Sequence, residues 1–551
     1  MSGVELERFV PKAVGSYGAL VPLAATTYVP VGDLFGSLET HVAALLETCG
    51  LDQSAADVSP IAAFVLGNGL AITVAWEAVR ASHLQCLIAA VAELADHHAE
   101  GPLQPYSVDA ACGLTLWSRG DLEEAPKIAS IWRDITSMGE IDPFTVQTTP
   151  RLYGNKQRLT RFVAPVIATH LPEHAPVLDL MSGTGVMSRV LAHRHPVTSN
   201  DANAYAALLT RTQAIHRSTV EIKDVSVRLE EEYRKNYTEL SRLIRSELEQ
   251  EAAFLHGEVT EFTIRAYADF ARGGPLVPSV GVPAGPARLV TERYANVYFG
   301  LNQSVEIDSL RAAIEASYPE PGIVRDLCLS ALLIACSTCS SGPHFAQPPQ
   351  LKPSLEKAPK SMRTMVERRA RSVAWEFDLA LARLAGRKPL NFAFEQTLQL
   401  DWPEAIDCFV ASLGGRTAGV YVDPPYSKLQ YSRYYHVLNV ILAYDYPPVS
   451  GVGRYPPISS RFSSKFEYQP SAARRELGSL LQKCSEARLT VFLSYSDGGF
   501  IPVESLAAEM NARFSHVEIF TEVVRHHSQG RPLKASRATV MEHVLVGSHG
   551  P

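Results

Sequence analysis

Cysteine is scarce in this sequence. Eight in 551 residues do not make the disulfide framework of a small secreted scaffold. Only Cys336 and Cys339 stand at CxxC spacing, and no second pair follows to complete a four-ligand zinc site. Within SALLIACSTC they read as small residues on a packed helix, and no metal is expected. Long apolar runs are missing as well: nothing approaches the ~20 consecutive apolar residues of a membrane span. The opening MSGVELERFVPK lacks the basic-then-apolar order of a secretory signal, so the expectation is a cytoplasmic protein without a membrane partner. An excess of positive charge is also absent. The formal net charge is −7, which leaves any polyanion to be met by a local basic patch, not by the whole chain. What remains is ordinary globular material, 46% hydrophobic and 20% charged.

At roughly 150 residues per domain the length suggests two to four domains. Residues 1–140 read as a mostly helical module, because GSLETHVAALLETCG and ASHLQCLIAAVAELADHH space apolar residues by three and four. SMGEIDPFTVQTTP, with its two prolines, reads as a linker. From about residue 150 the texture changes to short apolar runs alternating with helical stretches: APVLDLMSGTG, VMSRVLAHR, PVTSND and ANAYAALLTRTQAIH. That order signals a parallel α/β sheet. Residues 216–385 interrupt it with charged helical stretches and loops rich in Gly and Pro, and the alternation resumes at LNFAFEQTLQLDW, AGVYVDPPYS and ARLTVFLSYSDGG. HVEIFTEVV and ATVMEHVLVG, joined by a polar basic loop, suggest an antiparallel pair at the sheet edge. The reading is a catalytic domain over 150–215 and 386–551, split between its second and third strands by a large, mostly helical insertion.

Two motifs carry chemistry. The first runs from Asp179 through Gly183 to Gly185, after a strand and before a helix, where open α/β sheets bind ligands. The glycines let backbone approach a ligand without a side chain in the way. Asp201 ends the next strand, where an acid about 20 residues on can accept from ribose hydroxyls. Strand, glycine turn, helix, strand and acid together point to a nucleoside-containing cofactor. The second motif is Asp423, Pro424, Pro425 and Tyr426, directly after GVYV. A Pro-Pro pair cannot continue a sheet ladder, so the strand ends there in a rigid turn. The turn fixes a carboxylate, backbone carbonyls and an aromatic ring, and these are what an amino-bearing planar base requires. Tyr431, Tyr434, Tyr435 and His436 crowd the same strand end; some are expected to face the base and the others to pack. Ser494 and Tyr495 end a further strand on that face and are candidates for the pocket entrance.

DLMSGTG followed by DPPY resembles the amino-methyltransferases that modify adenine N6 in DNA, the DNA adenine methylase family, over about 150–215 and 390–550. The resemblance implies a Rossmann-like methyltransferase sheet, S-adenosylmethionine as cofactor and double-stranded DNA as substrate, with the target base flipped out of the stack. It implies a site-specific adenine methyltransferase of restriction-modification or phage defence, with a nuclease or defence-system partner as a further expectation. By the same resemblance Tyr153 and Lys156 sit near the methionine part of the cofactor, Asp179, Gly183 and Gly185 line its loop, Asp201 holds the ribose and Asp401 contacts its adenine. Relatives often carry Phe at the position of Met181, and their target-recognition region commonly follows the third strand, whereas the helical insertion here precedes it. The insertion is nevertheless the candidate for target recognition. Its basic residues Lys352, Lys357, Lys360, Arg363, Arg368 and Arg369, with Arg531 and Lys534 near the carboxyl end, are the candidate DNA contacts. Cytosine N4 methylation, whose motif more often starts with Ser, remains open. So does a related PPY enzyme acting on RNA or protein glutamine, usually with Asn first, and so does a non-catalytic DNA-recognition subunit.

Overall fold

The computed structural model describes residues 61–66, 70–75, 103–109 and 114–119 and then, with interruptions, residues 159–550; the longer interruptions are 216–221, 346–364, 426–430 and 526–538. The four early segments are strands: β1 (Ile61–Leu66), β2 (Leu70–Ala75), β3 (Leu103–Asp109) and β4 (Leu114–Arg119). They pair antiparallel in the order β1-β2-β4-β3. The expectation of helix over residues 1–140 is therefore corrected for this part of the span. Alternation in IAAFVL and LAITVA is masked by their alanines, which is why the pattern was missed. The two stretches with helical spacing, 36–50 and 81–98, lie outside the described residues.

The main sheet has seven strands: β5 (Val177–Asp179), β6 (Val197–Asn200), β7 (Phe394–Leu398), β8 (Gly419–Val422), β9 (Thr490–Ser496), β10 (His516–Arg525) and β11 (Thr539–Ser548). Their spatial order is β10-β11-β9-β8-β5-β6-β7. Strands β7, β6, β5, β8 and β9 run parallel, and the closing β10–β11 pair is antiparallel to its neighbours, as the sequence suggested. From β5 the chain builds outward through β6 to β7, then returns to the other side of β5 to lay down β8. The strand order thus reverses at β5, and a crevice opens at the carboxyl ends of β5 and β8.

The central strands β5, β8 and β9 read as largely apolar runs because both faces are covered. Leu178, Val420, Val422 and Leu493 point to one face, packing on α11 (Trp402–Leu413), α13 (Pro470–Glu486) and α14 (Val503–Asn511). Val177, Tyr421 and Phe492 point to the other, against α1 (Thr160–His170) and α2 (Val186–Leu191).

Between α3 (Ala204–Gln213) and β7 the chain forms seven helices among the described residues: α4 (Ile222–Leu243), α5 (Arg245–His256), α6 (Glu261–Phe270), α7 (Leu289–Arg293), α8 (Leu301–Ser317), α9 (Ile323–Cys339) and α10 (Val373–Ala385). They share one apolar core with α3 and with α12 (Tyr431–Ala443), so this layer buttresses both helices that flank the crevice. Cys336 and Cys339 are buried on α9, and burial pushes both thiols up; they pack as the sequence context suggests. The layer also buries acids. Asp308 accepts hydrogen bonds from the Val290 and Thr291 amides at 2.8 Å each and from the Tyr444 hydroxyl. Glu306 caps the start of α10 through Val373 and Ser372.

Candidate active site

The glycine turn follows β5 and the double-proline turn follows β8. Because β5 and β8 are neighbours in the sheet, residues far apart in sequence emerge side by side. They line one cleft of about 360 Å³, at the small end of the roughly 300–1,000 Å³ typical of ligand pockets. Asp179, Gly183, Asp201, Asp401, Asp423 and Pro425 all contribute to its wall. The two turns point to the same side, and the space between them is open.

The glycines have different tasks. Gly183 has φ +57, and a Cβ there would meet nothing within 4 Å; its backbone faces free space. Gly185 starts α2 with φ +73, and a Cβ would come within 2.7 Å of Thr210 Cα and Gln213 Cγ on α3. Gly185 is required for helix packing, and it is not part of the cleft wall. Gln213 returns a bond to the turn, donating from Nε2 to the Thr184 carbonyl at 2.8 Å.

Acids dominate the floor. Asp179 is buried and accepts from the Ser188 hydroxyl through Oδ2, while its Oδ1 has no partner among the described residues. Burial pushes its carboxyl up to about 7, with the charges of Asp423 and Asp201 adding to the rise. Asp201 holds the turn itself, accepting from the Gly183 amide at 2.9 Å and the Asn203 amide at 2.8 Å; burial raises it to about 6 against these two bonds. Asn203 contributes a second buried, unpartnered acceptor, Oδ1, to the cleft wall. Buried acceptors without partners cost stability unless something donates to them. A molecule carrying donors and positive charge suits such a wall.

The sequence reading missed Asn200. Its Nδ2 donates to the carbonyls of Leu180 at 3.0 Å and Leu400 at 3.1 Å, and its Oδ1 accepts from the Leu400 amide at 3.0 Å. One amide thereby ties together the ends of β5, β6 and β7, and so spaces Asp179, Asp201 and Asp401. Its place in PVTSND was the available signal, passed over in favour of the acid beside it. The segment Phe462–Glu467 had no comparable signal. It crosses the cleft wall with Trp402 and Glu476, tied by Trp402 Nε1 donating to Glu476 at 2.8 Å and by Lys465 pairing with the same carboxylate at 3.7 Å.

Other expected residues fall elsewhere. Tyr435 is buried and lines the cleft, 5.4 Å from the Tyr205 ring. His436 is buried with its two ring nitrogens 3.0 Å from the carbonyls of Arg433 and Gly453. Burial, with Arg461 and Arg433 nearby, pushes it down to about 4, against the two carbonyls, which favour the protonated ring. Ser494 and Tyr495 are buried in the sheet and do not line the cleft. Pro424 is buried in its turn.

Arg369 is corrected as a DNA contact. It is 2% exposed, donating to Ser341 Oγ, the Tyr267 hydroxyl and the Asn296 carbonyl, and a phosphate cannot reach it. Arg368 is part-buried and donates to the Ser340 carbonyl at 3.4 Å. Tyr153, Lys156, Lys352, Lys357, Lys360, Arg363, Tyr426, Arg531 and Lys534 lie outside the described residues.

A mixed α/β fold with this seven-stranded sheet is consistent with a methyltransferase. Comparison with known proteins narrows the class. Residues 410–491 match the family of D12 class N6 adenine-specific DNA methyltransferases, a span that contains β8, the double-proline turn and α12. Modification methylase LlaI of Lactococcus lactis subsp. lactis is 23% identical over 403 residues, 72% of this chain and 54% of that relative. The chain thus spans about half the length of the curated relative it matches. No solved structure matches. The matched family is one of adenine-specific DNA methyltransferases, which implies a methyl donor. Among the described residues no helix is long and apolar enough to cross a membrane.

Proposed function

We propose that this protein transfers a methyl group from S-adenosylmethionine to the N6 amine of adenine in double-stranded DNA, at a specific sequence, as the modification arm of a restriction or defence system. The observation that carries the reading is the shared cleft: Asp423 and the Gly183 turn stand on one wall, at the reversal point of a parallel sheet. Strand order and the parallel core favour a Rossmann-like catalytic domain over 150–215 and 386–551. Residues 216–385 are read as its helical insertion, a candidate for target recognition.

The residues fit the cofactor. Asp179, Asp201, Asp401 and Asp423 give the wall a negative potential suited to a sulfonium and an ammonium group. Asp201 is assigned to the ribose, Asp401 to the cofactor's adenine, and Gly183 to close backbone approach. When bound, S-adenosylmethionine supplies an electrophilic methyl carbon. The chain's task is to prepare the amine. An exocyclic amine is a weak nucleophile because its lone pair is delocalised into the ring. Asp423 and the Pro424 carbonyl accept its two N–H bonds, which favours a more tetrahedral nitrogen and stabilises the positive charge that builds there. Flipping the base out costs a few kcal/mol, and stacking on Tyr426 offsets part of that, on the order of 1–3 kcal/mol.

The test is transfer of labelled methyl from S-adenosylmethionine to DNA, followed by digestion to nucleosides and mass spectrometry. N6-methyladenine, lost in Asp423→Ala, is expected. N4-methylcytosine would instead establish the cytosine enzyme, and DNA binding without transfer a recognition subunit.

A further inference from the structure

A cluster outside the cleft is unused by this chemistry. Tyr455 lies in the loop after α12, and two guanidinium groups sit over its ring: Arg433 at 5.0 Å and Arg461 at 5.6 Å from the centroid. Arg433 also donates to the Tyr455 hydroxyl at 3.3 Å. Arg433 is exposed and Arg461 half-buried. Both guanidinium groups are held by the same ring, and neither arginine forms a salt bridge with any described carboxylate. The Nε and Nη1 of Arg461 are buried and have no hydrogen-bond partner among the described residues. Leaving charged donors unpaired is costly, and the exposed Arg433 guanidinium is where an anion can reach the cluster.

The position identifies the ligand. Arg461 directly precedes Phe462, the first of the residues through Glu467 that line the cleft, and Arg433 lies two residues before the cleft-lining Tyr435. The acids inside the cleft repel phosphate, so a polyanion whose base enters must have its backbone met at the mouth. Guanidinium forks match phosphate oxygens. We propose that Arg433 and Arg461, with Tyr455 as the plate that orients them, form a clamp for the phosphodiester backbone of DNA beside the flipped nucleotide. The proposal rests on the DNA-methyltransferase reading for its choice of polyanion.

The experiment measures binding of a fluorescent random-sequence DNA duplex to the full chain against salt concentration, for the parent protein, Arg433→Ala, Arg461→Gln and Arg433→Lys. The slope of log affinity against log salt should fall by about one for each arginine lost and be restored in Arg433→Lys. S-adenosylmethionine binding and thermal midpoint should be unchanged in Arg433→Ala, whose side chain is exposed. Slopes identical to the parent's in both Arg433→Ala and Arg461→Gln would overturn the clamp. If the parent binds DNA with the full slope and the variants lose it, but no methyl reaches DNA, the clamp stands and the methyltransferase reading fails.

Discussion

The carboxyl edge of the sheet and the helical layer of residues 222–385 both bury acids, and they treat them in opposite ways. In the helical layer three buried acids, Glu251, Asp308 and Glu306, have both carboxylate oxygens taken. Glu251 takes the Leu301 and Asn302 amides and the Tyr267 hydroxyl, and Tyr267 in turn accepts from Arg369. Asp308 and Glu306 are similarly saturated by helix-start amides. At the sheet edge Asp179 keeps one oxygen unpartnered, and Asn203 does the same. Saturated acids are built to hold helices; acids with spare capacity facing a cleft are built to meet a ligand. Burial alone does not distinguish them, since it raises both Asp308 and Asp201 to about 6.

Breaking the saturated network should have the largest effect. Arg369→Ala removes the cation beside Glu251 and should cost about 3–5 kcal/mol of stability, seen as a lower thermal midpoint with cofactor affinity of the folded protein retained. Equal midpoints would show that the network is dispensable. On the other side of the comparison, Asp423→Ala should lower turnover by about 100-fold or more with the melting curve little changed; loss of cofactor binding as well would make Asp423 structural. Gly185→Ala separates the two glycines. It forces a Cβ against α3 at positive φ and should cost roughly 1–3 kcal/mol, whereas Gly183→Ala, with open space around it, carries only the positive-φ strain of about 1 kcal/mol and should show mainly as weaker cofactor binding.

The smallest effect is the pH dependence. Asp179 and Asp201 are raised to about 7 and about 6 from 3.8, so between these values the folded protein holds protons that the unfolded chain has released. Their contribution to stability is therefore greatest at low pH and declines as pH rises from about 4 to 7. A cationic ligand favours the ionised acids, so S-adenosylmethionine should bind more weakly below about pH 6 and release protons on binding. Calorimetry in two buffers of different ionisation enthalpy measures that release, and its absence would remove these acids from the cofactor site.

Much of this was legible in the chain. The seven strands of the main sheet follow from short apolar runs punctuated by Gly, Pro and acids, and the antiparallel closing pair from its connecting loop. Asp179, Gly183, Asp201, Asp401 and Asp423 were all named from motifs, and all line the cleft. Arg369 was misread because a basic run resembles a solvated face whichever of its members turns inward. β1 and β2 were missed because alanine-rich strands look like helix.

Local sequence determined the turns by itself, because glycine torsions and proline's lost donor are properties of a few consecutive residues. Only the tertiary structure decided which acids are spent and which remain available. Partners such as Asn200 and Arg369 reach their acceptors through packing between distant segments, and no spacing rule encodes that. The Arg433–Tyr455–Arg461 cluster is of the same kind: three unremarked side chains, brought to one place by a loop folding back on a helix.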